Sequence, residues 1–379
     1  MNYRKALLIF ISLVIFIQIS ERLLFIIIPM WLLERSFSAT EIGGIFSAAG
    51  IVIMLAKFMI SKLSDRWGRK RIMVAGLFTT AVSSVLYPFA PRLYDYAIVK
   101  SIQETGNQFH NSVKNAMIGD AFKGEKRTRA ISALGTALPL GRACAMIIGI
   151  IITTFLSVVY GFYIAAISVF VAGMVILLFY REGGFVKSRK RIIGLHGITT
   201  PIILISLASL FNMLSYTVAY SPGFFVLSKS LGLTENSLFY YFLLAYVISA
   251  FFAYRTGSWI TKHGKKNMLI ITGFSYGLFT SFYSVATSTL LLVSFLIVIA
   301  VSFYIYSIAF RNVLLDLTDE ERRGEQTGFS KLISETGLII GPVLGGLLID
   351  FVSLQSAFIV AGLFGIIGSF FVIFLKRYG

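Results

Sequence analysis

Apolar residues run along this chain in stretches of twenty or more, separated by short clusters of charge, glycine and proline. The stretches fall at roughly 6–33, 41–62, 71–90, 94–119, 130–156 and 158–180, then 199–227, 236–259, 267–287, 289–315, 327–351 and 355–376. About 20 apolar residues suffice for a helix to cross the hydrocarbon core of a bilayer, so the pattern predicts twelve spans. None of the runs alternates with period two, as the strands of a membrane barrel would. The first begins MNYRKALLIFISLVIFI, like a secretory signal, but it lacks a small-residue cleavage site and continues through Glu21 and Arg22 to Leu33. It is expected to be a retained first helix.

The twelve runs are two copies of six. A shift of 196 residues brings Gly68 onto Gly264, Lys70 onto Lys266, Asp120 onto Asp316, Glu125 onto Glu321 and Arg127 onto Arg323. The same shift brings Gly141 onto Gly337 and Gly149 onto Gly345. One ungapped shift that satisfies the loops after the second, fourth and fifth helices of both halves implies a duplicated unit, an internal symmetry that transporters use for rocking. The expectation is an all-α integral membrane protein with twelve transmembrane helices in two pseudo-symmetric six-helix bundles. Residues 1–182 form the first bundle, 183–197 a cytoplasmic central loop, and 198–379 the second bundle.

Composition agrees: of 379 residues, 57% are hydrophobic and 13% charged, so lipid solvates most of the surface. The net charge of +17 invites a nucleic-acid partner, but its distribution argues otherwise. Basic residues fill every second inter-helix gap, among them Arg66, Arg69, Lys70 and Arg71, then Lys126, Arg127 and Arg129, then Lys187, Arg189, Lys190 and Arg191. The opposite gaps hold almost only Arg35, Arg92 and Lys229. This is the positive-inside bias, which puts both termini and the central loop in the cytoplasm and the protein in the cell membrane. The bilayer is the expected partner, and nucleic acid is not.

The stretch SKLSDRWGRK, Ser61 to Lys70, resembles the signature loop of the major facilitator superfamily, G-x-x-x-D-R-x-G-R-[RK]. Asp65, Arg66, Gly68, Arg69 and Lys70 match, with Ser61 in place of the first glycine. The second copy, GSWITKHGKK, keeps Gly257, Gly264 and Lys265 but has Thr261 for the aspartate. GLIIGPVLGG resembles the family's glycine-proline motif through Gly337, Gly341, Pro342 and Gly345, small residues that let helices pack closely; Gly141, Ala145 and Gly149 keep that spacing in the first half without the proline. Asp120 and Arg127, repeated as Asp316 and Arg323, extend the resemblance over nearly the whole chain. It implies a twelve-helix transporter working by alternating access as a functional monomer. The family's fourth-helix pattern R-x-x-q-G falls on Lys100, Gln103 and Glu104, so lysine stands for the arginine and glutamate for the glycine.

Ionisable groups deep in lipid are costly, so each is a functional candidate unless it can reach the interface. Lys57, Lys114, Arg255, Arg311 and Lys331 lie near a cytoplasmic helix end and read as anchors, with Glu335 intermediate. At depth remain Glu21, Arg22, Lys100, Glu104 and Arg142. The fourth helix carries Lys100, Glu104, Gln108, Asn111 and Asn115 at helical spacing, joined by Gln103, Asn107 and Lys114, a polar face that must turn inward. Glu104 lies about 16 Å along that helix at 1.5 Å per residue, near the midplane where coupling sites lie. It is the candidate proton-coupling carboxylate, alone or with Glu21, the other reading being a static ion-pair network. Arg142 would be a fixed positive charge for a carboxylate or an anionic substrate. The second half offers Asn212, Tyr216, Tyr220, Tyr304 and Tyr306 for flat or amphipathic solutes. A cytoplasmic gate is expected where Asp65, Arg66, Gly68, Arg69, Lys70, Asp120 and Arg127 would face Asp319, Glu320 and Glu321.

No enzyme is expected. His110, His196 and His263 are far apart, and Cys144 is a lone cysteine within an apolar run. No metal or cofactor is implied beyond protons as the coupling ion. The leading expectation is proton-coupled export of small organic or amphipathic compounds; the alternative is uptake of a small metabolite, such as an organic anion, guided by Lys100 and Arg142. A non-transporting receptor or scaffold would need no polar stripe on the fourth helix.

Overall fold

The computed structural model describes residues 3–122, 125–180, 198–319 and 322–375, without the side chains of 58–62, 64–66, 115–116, 120, 125, 127–128, 131–132, 253–254 and 323–324. The expected central loop 183–197 lies outside these residues. The described residues are helical: α1 Tyr3–Glu34, α2 Ala39–Trp67, α3 Arg69–Leu86, α4 Leu93–Ala121, α5 Glu125–Phe155 and α6 Val159–Phe179. The second set is α7 Thr200–Val218, α8 Phe224–Ser230, α9 Glu235–His263, α10 Lys265–Phe282, α11 Thr289–Leu317, α12 Arg323–Phe351 and α13 Leu354–Ile373.

The 196-residue shift is exact at the level of helix ends. It carries α2 onto α9, α3 onto α10 and α4 onto α11, and it carries the 3-10 turn Tyr87–Phe89 onto Tyr283–Val285. Gly68 and Gly264, which open α3 and α10, have φ of 88° and 83°, the left-handed region where a side chain is strained. A tight reversal between long helices demands that geometry at both copies.

Two expectations need revising. The seventh span is not one helix over 199–227: a π turn, Ala219–Gly223, separates α7 from α8, with Ser221 at φ −137°, ψ 80°. Pro222 cannot donate to the helix ladder and disfavours helical geometry at the residue before it. Further, α5 and α12 begin at Glu125 and Arg323 rather than near 130 and 327, because helices extend past the lipid-facing run into the basic loops.

Eleven described helices are long and apolar enough to cross a membrane. The span left out is α4, whose polar face lowers its hydropathy.

The chain divides into two compact units. The first comprises Met1–Trp31, Ile51–Arg189 and Glu235–Leu243; the second comprises Leu32–Gly50, Lys190–Thr234 and Leu244–Gly379. Each departs from a sequence half by one exchanged segment, the start of α2 or of α9. Within the first unit, Phe10, Leu13, Ile17, Met73, Leu77, Met117, Val169 and Ile176 form a core among α1, α3, α4 and α6. Within the second, Ile205, Ala208, Leu269, Ala309 and Val372 do the same for α7, α10, α11 and α13. Large apolar side chains such as Phe155 and Phe351 are exposed, as lipid contact requires.

Candidate functional site

In the first unit, α4 is seated on α3 by two glycines: Gly76 meets the backbone of Gly106, and Gly106 meets Gly76 and Thr80, with no room for a Cβ at either. That contact sets which part of the polar face of α4 is buried against α3. The Tyr87 hydroxyl donates to Gln103 Oε1 at 2.7 Å, Thr80 Oγ1 donates to Asn107 Oδ1 at 3.3 Å, and His110 Nε2 lies 3.2 Å from the same oxygen. Gln103 and His110 are buried. The stripe seen in the sequence is thus two stripes, and Gln103, Asn107 and His110 serve as a polar seam between helices.

The other edge of α4 carries the charge. Lys100 Nζ lies 2.8 Å from Glu104 Oε1 and donates to Gln103 Oε1 at 3.1 Å, while Asn107 Nδ2 donates to Glu104 Oε2 at 3.3 Å. The side chains of Lys100 and Glu104 are only 11% and 18% exposed. One turn further, Lys114 Nζ donates to Asn111 Oδ1 at 2.7 Å. Gln108 is half-buried on the same helix.

Further charged groups come from α1 and α5. Gln18, 5% exposed, is the bridge: its Nε2 donates to Glu21 Oε2 at 2.7 Å, and its Oε1 accepts from Arg142 Nε at 3.0 Å. Gly141 lies directly against Ile15 and Gln18 of α1, which brings the next residue, Arg142, within reach. The Arg22 guanidinium lies over the Phe25 ring at 5.6 Å. Lys114, expected to be an anchor, is half-buried with its ammonium on Asn111 of its own helix.

Sequence reasoning missed Gln18 and His110. Gln18 stands three residues before Glu21, a helical neighbour spacing that could have flagged it; its second bond, to Arg142, spans 124 residues and leaves no local trace.

The second unit holds the aromatic candidates. Asn212 Nδ2 donates to the Tyr306 hydroxyl at 3.0 Å. Tyr216 stacks on Tyr220 at 5.3 Å between centroids and on Phe303 at 6.2 Å. Tyr220 is buried, stacks on Phe224 and shares a 3.3 Å hydroxyl contact with Tyr283. Tyr216 and Tyr304 are half-buried. Tyr220 and Tyr306 are thus buried among these contacts, while Tyr216 and Tyr304 keep part of their surface open.

The glycine-proline segment works as small residues should. Gly337, Gly341 and Gly345 lie against Met213, Thr217 and Val218 of α7, while Pro342 and Gly346 lie against Gly43, Ala39 and Thr40 of α2. Of the expected gate, the side chains of Asp65, Arg66, Asp120 and Arg127, together with residues Glu320 and Glu321, lie outside the described residues. Arg69 and Lys70 are half-buried at the start of α3. In the second copy, Lys265 pairs with Asp316 at 2.6 Å, and by the repeat these are the counterparts of Arg69 and Asp120.

The family model of the Major Facilitator Superfamily matches residues 10–309 and again 205–378. The chain belongs to this superfamily. Its family and fold are those of multi-pass membrane transporters. The chain is 21% identical to a hexuronate transporter of Bacillus subtilis over 379 residues, covering 91% of this chain and 87% of the relative. It is 23% identical to multidrug resistance protein 2 of the same organism over 368 residues, covering 90% and 88%. The solved structure of the nucleoside transporter NupG superposes with a TM-score of 0.80 at 14% identity over 100% of both chains, a likeness of fold.

Proposed function

We propose that this superfamily member is a proton-coupled secondary transporter, moving a small organic solute across the cell membrane by alternating access. Glu104 and Glu21 are its coupling carboxylates, and the proton is its only cofactor. The observation that carries this reading is the Lys100–Glu104 pair at 2.8 Å, largely shielded, halfway along a membrane-depth helix. A pair in that setting recovers little of its desolvation cost as stability. A carboxylate there can exchange its lysine for a proton and so shift the balance between two packings. The basic loops support cytoplasmic termini, and the superfamily resemblance supports a functional monomer.

Two directions are open to such a site. Export of amphipathic compounds draws its support from the aromatic residues and from the multidrug relative. Uptake draws its support from the basic side chains Lys100 and Arg142 on α4 and α5 and from the hexuronate relative. We favour uptake, because Tyr220 and Tyr306 are buried among neighbouring side chains while Lys100 and Glu104 remain partly accessible beside each other.

The test is proton flux in proteoliposomes loaded with a pH-sensitive dye, comparing wild type with Glu104→Gln against a panel of organic anions, neutral solutes and hydrophobic cations. Solute-driven proton movement that the variant loses is expected. Solute movement with no proton response in wild type would sink the coupling assignment, leaving a facilitator.

A further inference from the structure

We propose that the groove between α3 and α6 in the first unit binds an anionic phospholipid of the surrounding membrane, whose phosphate is received by Arg71 beside Lys70. The groove opens where the two helices part. Gly173 of α6 lies against Leu77 and Phe78 of α3, and Phe78 stacks on Phe170 at 5.3 Å between centroids. One turn nearer the start of α3 and the end of α6 there is a cavity of about 450 Å³, lined by Lys70, Arg71, Val74, Ala75 and Leu177. Sites for small molecules and cofactors span about 300–1,000 Å³.

The lining divides by chemistry. Arg71 stands in the first turn of α3 and Leu177 near the last turn of α6, two helices long and apolar enough to span a bilayer. The cavity therefore lies at the depth of the lipid headgroups. Ala75 and Leu177 are exposed, and exposed apolar side chains on a spanning helix face acyl chains. The mouth holds two basic residues, Arg71 exposed and Lys70 half-buried. They stand in a first turn without an acidic residue, at the helix end whose dipole favours an anion. A guanidinium can fork onto two phosphate oxygens. Free phosphate would leave the apolar wall unused, and a lipid without net charge would gain less from the basic mouth. An anionic phospholipid uses both.

The duplication supplies an internal comparison. Under the 196-residue shift Lys70 becomes Lys266, whose ammonium donates to the carbonyl of Ile373, the counterpart of Leu177, at 2.8 Å and to that of Leu375. Arg71 becomes Asn267, which donates to the His263 carbonyl at 3.1 Å, and Ala75 becomes the bulkier Ile271. The second copy thus has neither the guanidinium nor the small residue one turn from it, yet α10 still packs closely on α13 through Gly277, Gly362 and Gly365. Helix packing requires neither Arg71 nor Ala75, and the two together make a site peculiar to the first copy.

The experiment is native mass spectrometry of the purified full chain in detergent. The chain is titrated with phosphatidylglycerol, with phosphatidylcholine of the same acyl chains, and with glycerol 3-phosphate as a headgroup without chains. Wild type is expected to bind phosphatidylglycerol about fivefold or more tightly than phosphatidylcholine, and glycerol 3-phosphate at equal concentration is expected not to displace it. Arg71→Asn and Ala75→Ile install the residues that the second copy already carries at these places. Each is expected to weaken phosphatidylglycerol binding by about fivefold. Arg255→Asn removes one charge outside the lining of the groove and is expected to leave the affinity as in wild type. Equal affinity for the two lipids, displacement by glycerol 3-phosphate, or wild-type affinity in Arg71→Asn or in Ala75→Ile overturns the proposal. So does a loss in Arg255→Asn as large as in Arg71→Asn, which would mean that net charge alone gathers the lipid. If a variant does not fold, the wild-type preference between the two lipids and the competition by glycerol 3-phosphate still decide the matter.

Discussion

Gln18 shows how a single side chain can organise charge that sequence leaves scattered. Its two amide ends satisfy Glu21 and Arg142 at once, and hydrogen bonds to charged groups each contribute about 1.5–3 kcal/mol. Gln18→Leu keeps the volume and removes both bonds. It is expected to lower the unfolding midpoint of the purified chain in a fluorescence-monitored melt; a midpoint equal to wild type would mean that Glu21 and Arg142 satisfy each other without the bridge. The candidates Glu104, Lys100, Glu21 and Arg142 were legible residue by residue, because an ionisable group in an apolar run announces itself. Their pairing was legible only where it is local, as at Lys100 and Glu104 one turn apart.

Among helices, α2 and α12 are tied by contacts that the glycine motif only hinted at. Asp350, at the end of α12, accepts from the backbone N–H groups of Ala39 and Thr40 at 3.2 and 2.7 Å, placing a carboxylate on the positive end of α2. Ser38 and Glu41 close a capping box on the same turn, and the Val343 N–H donates to Ser47 Oγ at 3.1 Å beside Pro342. The positions equivalent to Thr40 and Asp350 are Asn236 and Thr154, and these are also bonded, at 2.8 Å. The start of α2 and the start of α9 are thus held alike, by hydrogen bonds to the end of α12 and of α5. Asp350→Asn, which removes the charge and one acceptor, is expected to loosen the start of α2 by about 1 kcal/mol. In a Cys144→Ala background, maleimide labelling of Thr40→Cys should then speed up several-fold, and an unchanged rate would show that the glycine packing alone holds this contact.

For the whole molecule, the duplication is the strongest statement the chain makes about itself. Helices, 3-10 turns and positive-φ glycines recur at one spacing, and the cores of the two units use equivalent helices. Orientation belongs to this scale too, since it depends on the sum of basic loops and not on any one of them. A C-terminal green fluorescent protein fusion is expected to fluoresce, and a C-terminal alkaline phosphatase fusion to be inactive. The opposite pattern would place the termini outside.

The sequence by itself determined the lipid setting, the twelve spans, their duplication and the superfamily, because each depends on apolar run length, loop charge or motif spacing, which are written along the chain. It also named the charged residues that the structure brings together at the candidate site, Lys100 with Glu104 and, through Gln18, Glu21 with Arg142. Only the tertiary structure decided that the polar face of α4 divides into a seam and a charged edge, that Tyr220 and Tyr306 are buried, and that Gln18 stands between Glu21 and Arg142. Those outcomes depend on how closely two helices approach, which glycines such as Gly76, Gly106 and Gly141 set through contacts between residues far apart in the chain.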